Sequence, residues 1–270
     1  GIVVIPKDYD VYDFCPVQYP AGDDEATWQT THFDFDKIHD LLLKLDMLGH
    51  VDPQAIRFLL KLTNVNLNDI PFNDPKVLSL FSTDKALNMQ HKYMKEDNGA
   101  IGLPEFGTEI TRQVLRETQP KSFNDLLIIS GLTHGTNVYG NNQQNLINDG
   151  ICTLQEVIGC RDDIMTYLIS KGLPNLEAFT IMELVRKKDK HLTPELIELM
   201  RQHDVPEYYI EACNKIEYLF PRGHACAYVM MALRVGYFKV YYPLEFYASY
   251  FSLRADDFDL VAMIGGLDAF

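Results

Sequence analysis

The sequence predicts an α+β fold, a small β-rich segment followed by a mostly helical remainder, and three observations carry that prediction. Residues 1–50 hold short alternating apolar and polar runs broken by polar turns, the period of half-buried strands. From Asp52-Pro53 onward the apolar spacing changes to that of amphipathic helices, and cap residues stand ahead of most of them. No period of about 20–50 residues recurs, which excludes a solenoid.

The β-like part opens with Ile2-Val3-Val4-Ile5, a strand that ends at Pro6. Val11–Phe14 and Thr30–Phe35 are two more candidate strands on either side of the polar loop Ala21–Ala26, and Lys44–Met47 completes the set. In that last run the alternation sets Lys44 and Asp46 side by side and predicts Leu43, Leu45 and Met47 on the buried face. A carboxylate beside a lysine at the end of an apolar strand suits a divalent metal next to a phosphate. It equally describes a surface ion pair on a half-buried strand. Asp8-Tyr9-Asp10 and Asp34-Phe35-Asp36 have the spacing of a two-metal carboxylate pair, with a solvated acidic edge as the plainer reading.

In the helical part, Asp52 serves as N-cap and Pro53 as first helical residue for a stripe of Ile56, Leu59, Leu60 and Leu62. Asp74-Pro75 opens Lys76–Phe81, and Ser82-Thr83-Asp84 opens a segment with Ala86 and Leu87. Glu109–Glu117 is a helix that ends before Pro120, and Ser122 caps Phe123–Ser130. Thr153-Leu154-Gln155-Glu156 has capping-box spacing, and Thr193-Pro194-Glu195 opens another helix. Arg186-Lys187-Lys188-Asp189-Lys190-His191 reads as a solvated loop or as a contact to a phosphate backbone.

With 270 residues, 47% of them hydrophobic, the chain is long enough to bury one large core or two smaller ones. No apolar run reaches the roughly 18 residues of a membrane span, and no signal-peptide pattern opens the chain, so no membrane partner is expected. The absence of an initiator methionine fits a piece of a longer protein, and equally processing or trimming of the chain. The five cysteines are scattered without a C-x-x-C pair, which argues against zinc and for a reducing compartment. The net charge of −14 argues against a general basic field for nucleic acid. The acids gather in the first 60 and last 16 residues, however, while residues 112–254 are nearly neutral. A polyanion contact is therefore expected from that middle region, through individually placed cations.

Three stretches there carry candidate chemistry. Ile101–Thr108 sets Pro104-Glu105-Phe106 between glycines in a tight turn. Ile129–Thr136 reads as an exposed, constrained loop after a helix, with Thr133 and His134 between Gly131 and Gly135. In Tyr218–Tyr228, Pro221 starts a helix on which His224 and Tyr228 lie four apart on one face. A helix N-terminus with Arg222 and His224 suits a triphosphate, and Tyr228 a nucleobase. A buried helix with a satisfied histidine fits the same residues. Arg161 is either a further phosphate ligand or half of a local salt bridge.

Taken together, these residues resemble a known family. Thr31-His32-Phe33-Asp34-Phe35, Leu43–His50, Pro104–Thr108, Ser130–Gly135, Ile158–Met165 and Phe220–Tyr228 are similar, in this order, to motifs of the PolC-type DNA polymerase III alpha subunits, the C-family replicative polymerases of Gram-positive bacteria. The resemblance implies that residues 1–50 are the C-terminal part of a nucleotidyltransferase-like palm, 51–255 the fingers, and 256–270 the start of a linker to a following DNA-binding region. It makes Asp46 the third metal-binding aspartate, beside Lys44, and assigns the other two to an upstream D-x-D segment with no match here. Arg161, Arg222 and His224 then resemble fingers residues that contact the triphosphate. Tyr228 resembles the residue under the incoming base, with Thr133 and His134 lining the same pocket. Arg222 stands where the family often has lysine.

The expected function is that part of a bacterial replicative DNA polymerase which binds the incoming dNTP and supplies one aspartate to two-metal nucleotidyl transfer. Magnesium is the implied cofactor, two ions in the complete enzyme. Primer–template DNA and dNTP are the implied partners, with the sliding clamp and other replisome proteins reached through other regions. The implied location is cytoplasmic, at the nucleoid, and the piece alone is expected to be inactive. The rival readings are a non-catalytic helical module that binds nucleic acid or a protein partner, and a metal-dependent nucleotidyltransferase acting on something other than DNA.

Overall fold

The structure is a computed structural model and describes residues 1–45, 47, 49–88, 97–187, 191–254 and 259–265, without the side chains of residues 36, 262 and 263. The chain divides into two compact units, Gly1–His50 and Val51–Phe270.

In the first unit, β1 (Ile2–Val4) pairs antiparallel with β4 (Leu43–Leu45), and β2 (Val17–Gln18) pairs antiparallel with β3 (Thr30–Thr31). Val11–Asp13 is a 3₁₀ turn and not a strand. Asp10 accepts the Tyr12 amide at 3.0 Å and Asp13 returns the bond to the Asp10 amide at 2.8 Å, so local capping overrides the β-branched start of the run. Only the first two residues of Thr30–Phe35 are strand, and Phe35–Lys37 is again a 3₁₀ turn.

The face assignment of the Lys44 strand is also corrected. Leu43, Leu45 and Met47 are exposed. Lys44 stands opposite Val3, which packs on the small cluster of Cys15, Ile38 and Leu42. Directly paired residues share a face, so Lys44 lies on the packed side, its Nζ 4.9 Å from the centre of the Phe35 ring. Lys44 itself remains exposed, with its ammonium over that ring.

The second unit is helical. Its first elements are α1 (Val51–Thr63), α2 (Pro75–Ser79), α3 (Glu109–Thr118), α4 (Phe123–His134), α5 (Gln144–Asn148) and α6 (Arg161–Ser170). They are followed by α7 (Asn175–Val185), α8 (Pro194–Gln202), α9 (Glu207–Lys215), α10 (Arg222–Tyr241), α11 (Pro243–Leu253) and α12 (Leu260–Gly265). Asp74, Ser122 and Thr193 cap their helices as expected, and Thr108 caps α3, each accepting amides of the first turn. Asp52 departs from expectation: α1 begins at Val51, and the buried Asp52 carboxylate accepts from Arg254 instead. At Thr153–Glu156 the Glu156 carboxylate accepts both the Thr153 amide and the Thr153 hydroxyl at 2.8 Å, half of a capping box, in a turn that no helix follows. Of the basic run at 186–191, Lys188, Asp189 and Lys190 lie outside the described residues, and Arg186 donates to Glu183 at 2.6 and 2.7 Å.

Helix α10 is the axis of this unit, packing against α1, α2, α4, α6 and α11. Ala225, Val229, Ala232, Leu233, Val235, Gly236 and Phe238 are buried, so no single polar face remains along it. Lys239 is buried with them. Its ammonium donates to the carbonyls of Gly99 and Ile101 at 2.7 and 2.6 Å, and burial lowers its pKa to about 8.

Candidate nucleotide-binding site

The site residues of the second unit depend on how α4 ends and α10 begins. The Ser122–Asp125 capping box starts α4, and the helix continues to His134. Thr133 and His134 therefore occupy its last turn, a correction to the expected loop. The helix extends because Gly131 permits it: a Cβ there would meet the Gly159 carbonyl oxygen at 2.3 Å, so the helix rests directly on the backbone before α6. Past the helix, a Cβ on Gly135 would meet the Tyr218 carbonyl oxygen at 2.6 Å. That approach lets Thr136 pair with Tyr218, its amide donating at 3.0 Å. The bridge fixes the segment from which Pro221 launches α10.

Four rings meet where the two segments join. Phe220 stacks on His224 with centroids 4.6 Å apart, and His224 lies 4.5 Å from Tyr228, one turn along α10. The His134 ring is 5.5 Å from Tyr228 and 6.0 Å from both His224 and Phe220. All four side chains are half-buried. Spacings of this order suit offset and edge-on aromatic contacts. His134 also contacts Glu105, in the turn before α3, with 3.0 Å between Nε2 and the carboxylate. Burial works against a charge on His134, but the Glu105 carboxylate and the Ser130 carbonyl outweigh it and raise its pKa above 6.5. Burial and then the Glu105 charge push the Tyr228 hydroxyl upward, so it stays neutral at ordinary pH.

Thr133 turns elsewhere. Its hydroxyl donates to the Ile129 carbonyl at 2.9 Å, and it lines a cavity of about 390 Å³ with Ile110, Leu132, Tyr139 and Gln144.

Arg222 is separated from the ring cluster by the turn of α10. Its guanidinium donates to Asp163 and Asn124, both at 2.9 Å, and its amide donates to Asp162 at 2.7 Å. An acid thus already holds the leading N–H of α10, where an anionic ligand would otherwise find the positive end of the helix dipole. The Arg161 amide donates to the Phe220 carbonyl at 3.1 Å, which ties the start of α6 to the approach of α10, and its charge contributes to holding the Glu183 carboxyl low. Burial raises the Asp163 pKa, against the Cys160 and Gly159 amides and the Arg222 charge. Arg222 lines a cavity of about 600 Å³ with Asn124, Gln155, Asp163, Tyr167 and Tyr208.

In the first unit, Asp46 lies outside the described residues. Asp10, one member of the Asp8–Asp10 pair, acts as a cap. Among the described residues no three of His, Cys, Asp and Glu are grouped to hold a metal ion.

Sequence reasoning treated Glu105 as part of a turn and missed its pairing with His134. The available signal was a carboxylate between glycines ahead of a helix. It also left Asn124 and Asp163 unassigned; both are ordinary helix-start residues whose partner is distant in sequence.

Residues 52–204 match the family described as the bacterial DNA polymerase III alpha subunit finger domain. The chain is also similar throughout to curated relatives called DNA polymerase III PolC-type. It is 55% identical over 269 residues to that of Oceanobacillus iheyensis, covering 100% of this chain and 19% of the relative. It is 54% identical to that of Lactococcus lactis, covering 100% of this chain and 17% of the relative. For Staphylococcus aureus the identity is 53%, over 98% of this chain and 18% of the relative. The chain thus spans about a fifth of the length of these relatives.

Proposed function

We infer the function of this chain from its family: it belongs to the PolC-type bacterial DNA polymerase III alpha subunits, and on that premise it is a piece of a replicative DNA-directed DNA polymerase. Within that enzyme we assign it the binding of the incoming dNTP. The observation that carries the assignment is the ring cluster, in which His134 meets His224 and Tyr228 from a distant part of the sequence. Half-buried rings give a base a stacking face whatever its identity, as a polymerase requires of a pocket that accepts all four.

In this reading Tyr228 lies under the base and His224 faces the phosphates, with Thr133 and His134 lining the pocket. Arg161 and Arg222 neutralise the triphosphate. Arg222 first exchanges the Asp163 carboxylate and the Asn124 amide for phosphate oxygens, a bidentate exchange that a guanidinium is shaped to make. Lys44 adds a cation in the first unit, and Asp46 is one metal-binding carboxylate.

Magnesium, two ions in the complete enzyme, supplies stabilisation of the attacking 3′-oxygen and the leaving pyrophosphate oxygen. Among the described residues no ligand cluster for it is grouped, and Asp46, the carboxylate assigned to it here, lies outside those residues. The partners are dNTP and primer–template DNA, with clamp and replisome contacts through other regions of the enzyme. The setting is the bacterial cytoplasm at the nucleoid. No described helix is long and apolar enough to cross a membrane.

Calorimetric titration of magnesium–dATP into the chain tests the assignment. Binding that weakens at least about fivefold in Tyr228→Ala supports it, since a stacked base contributes about 1–3 kcal/mol. Primer extension by the chain alone is expected to be absent, because the family's other two aspartates have no match here. Affinity for duplex DNA with no dNTP affinity, unchanged in Arg222→Ala, favours the non-catalytic binding module instead.

A further inference from the structure

Both ring nitrogens of His134 face acceptors. Nδ1 lies 2.5 Å from the Ser130 carbonyl oxygen, and Nε2 lies 3.0 Å from Glu105 Oε2. A neutral imidazole carries a single N–H, so one of these two contacts would set lone pair against lone pair. Only the imidazolium donates to both. The His134 side chain is 16% exposed and that of Glu105 37%, so the pair is partly screened from water.

Among the described residues, the other titratable rings facing this one are His224 and Tyr228, both on α10, which packs against α4. Tyr228 is neutral at ordinary pH and offers its ring, tilted 32° to that of His134. A cation beside an aromatic ring is attracted to the ring face.

The turn that holds Glu105 points the same way. Glu105 has φ +63°, in the left-handed region that glycine or asparagine enters more readily than glutamate. Its neighbour Gly107 is pressed so closely on the Gly102 amide that a Cβ would lie 3.0 Å away. The loop therefore holds a long acidic side chain at a backbone position ill suited to it, and that side chain reaches His134.

We propose that Glu105 is a positioning residue of the nucleotide wall: it fixes His134 as an imidazolium at neutral pH, so that the rings of His134, His224 and Tyr228 offer an anionic nucleotide a positive charge together with a stacking face. The identity of the ligand rests on the function proposed above. The charge on His134 and its dependence on Glu105 do not.

The direction of the pH effect follows. The His134 value is raised in the folded chain, so the charge is complete below the ordinary value of 6.5 and is lost as pH rises through the raised value. Nucleotide affinity falls over the same interval.

Two measurements on the 270-residue chain test this. The first is nitrogen NMR of the histidine rings, with His134 assigned by its loss in His134→Gln. Two protonated nitrogens at pH 7 and a titration midpoint above 6.5 are expected, with the midpoint falling by at least about one pH unit in Glu105→Gln. A neutral His134 at pH 7, or a midpoint that Glu105→Gln leaves in place, overturns the proposal. The second is magnesium–dATP affinity against pH. The wild-type chain is expected to weaken by about tenfold between the two sides of the His134 midpoint, and Glu105→Gln to be weak and flat throughout. Glu105→Gly relaxes the backbone while removing the carboxylate. It is expected to keep or raise the melting temperature yet match Glu105→Gln in binding; restored affinity in Glu105→Gly overturns the proposal. A chain that binds no dATP at any pH contradicts the nucleotide reading alone, and the NMR result still decides the charge on His134.

Discussion

Residues 1–50 and residues 51–270 bury their side chains to very different extents. The first unit gathers Cys15, Ile38 and Leu42 into a small cluster and leaves Ile2, Val4, Leu43 and Leu45 exposed on its β1–β4 ribbon. The second builds one contiguous core from α1 to α11, in which Leu80, Phe81, Leu115, Ile129 and Phe238 are wholly buried. A two-stranded ribbon has little stability of its own in water, whereas a helical unit with a continuous core folds cooperatively. Chemistry that needs fixed geometry is therefore best supported in the second unit, where the ring cluster lies on α10 and on the end of α4.

The largest effect that would break this comparison is expected in the last turn of α10. Phe238→Ala should cost about 3–5 kcal/mol in urea unfolding, because a fully buried aromatic leaves a cavity. In hydrogen exchange the amides of α4 and α10 should be the slowest, and those of β1 and β4 among the fastest. Equal protection of the two units would contradict the contrast.

Next comes Gly131→Ala, which drives a methyl into the Gly159 carbonyl and should cost about 1–3 kcal/mol. Gly223→Ala is its control: nothing lies within 4 Å of the new Cβ, and the first turn of α10 should gain up to about 1 kcal/mol. Thermal melts of the two variants should move in opposite directions.

A smaller effect is expected at Asp125, which accepts the amides of Lys121 and Ser122 at 2.8 and 3.0 Å and the Gln155 side chain at 2.8 Å. Asp125→Ala should cost about 1 kcal/mol through the lost capping box. Burial opposes ionisation of this carboxyl, but those donors hold its pKa below the ordinary 3.8. Its contribution is thus present above pH 3.8 and lost as pH falls through the lowered value, so acid unfolding of the wild type should converge on that of Asp125→Ala. The smallest effect is expected in the first unit, where Lys44→Ala removes a contact over the Phe35 ring and should cost less than about 1 kcal/mol.

The same contrast explains what the sequence made legible. Helix starts at Asp74, Ser122 and Thr193 were readable because a cap and its amides lie within three residues of one another. The pairing of His224 with Tyr228 was readable for the same reason, being one helical turn. The face of the Lys44 strand was not, because alternation shows that two faces differ and the partner strand decides which one packs; Val3 opposite Lys44 turned it over. Nor was the end of α4, since two glycines near Thr133 and His134 look like loop residues until the backbone they rest against is known. The Glu105–His134 and Arg222–Asp163 pairs join segments distant in sequence, and only the fold brings them together.

The central claim is that the rings on α10 and at the end of α4 form the nucleotide site, and photocrosslinking with 8-azido-dATP tests it most directly. The adduct, mapped by peptide mass spectrometry, is predicted to fall between Phe220 and Tyr228 or on the Ser130–Gly135 segment, and to be lost in excess unlabelled dATP. A competed adduct on Tyr167 or Tyr208, in the cavity on the Arg222 side, would contradict it.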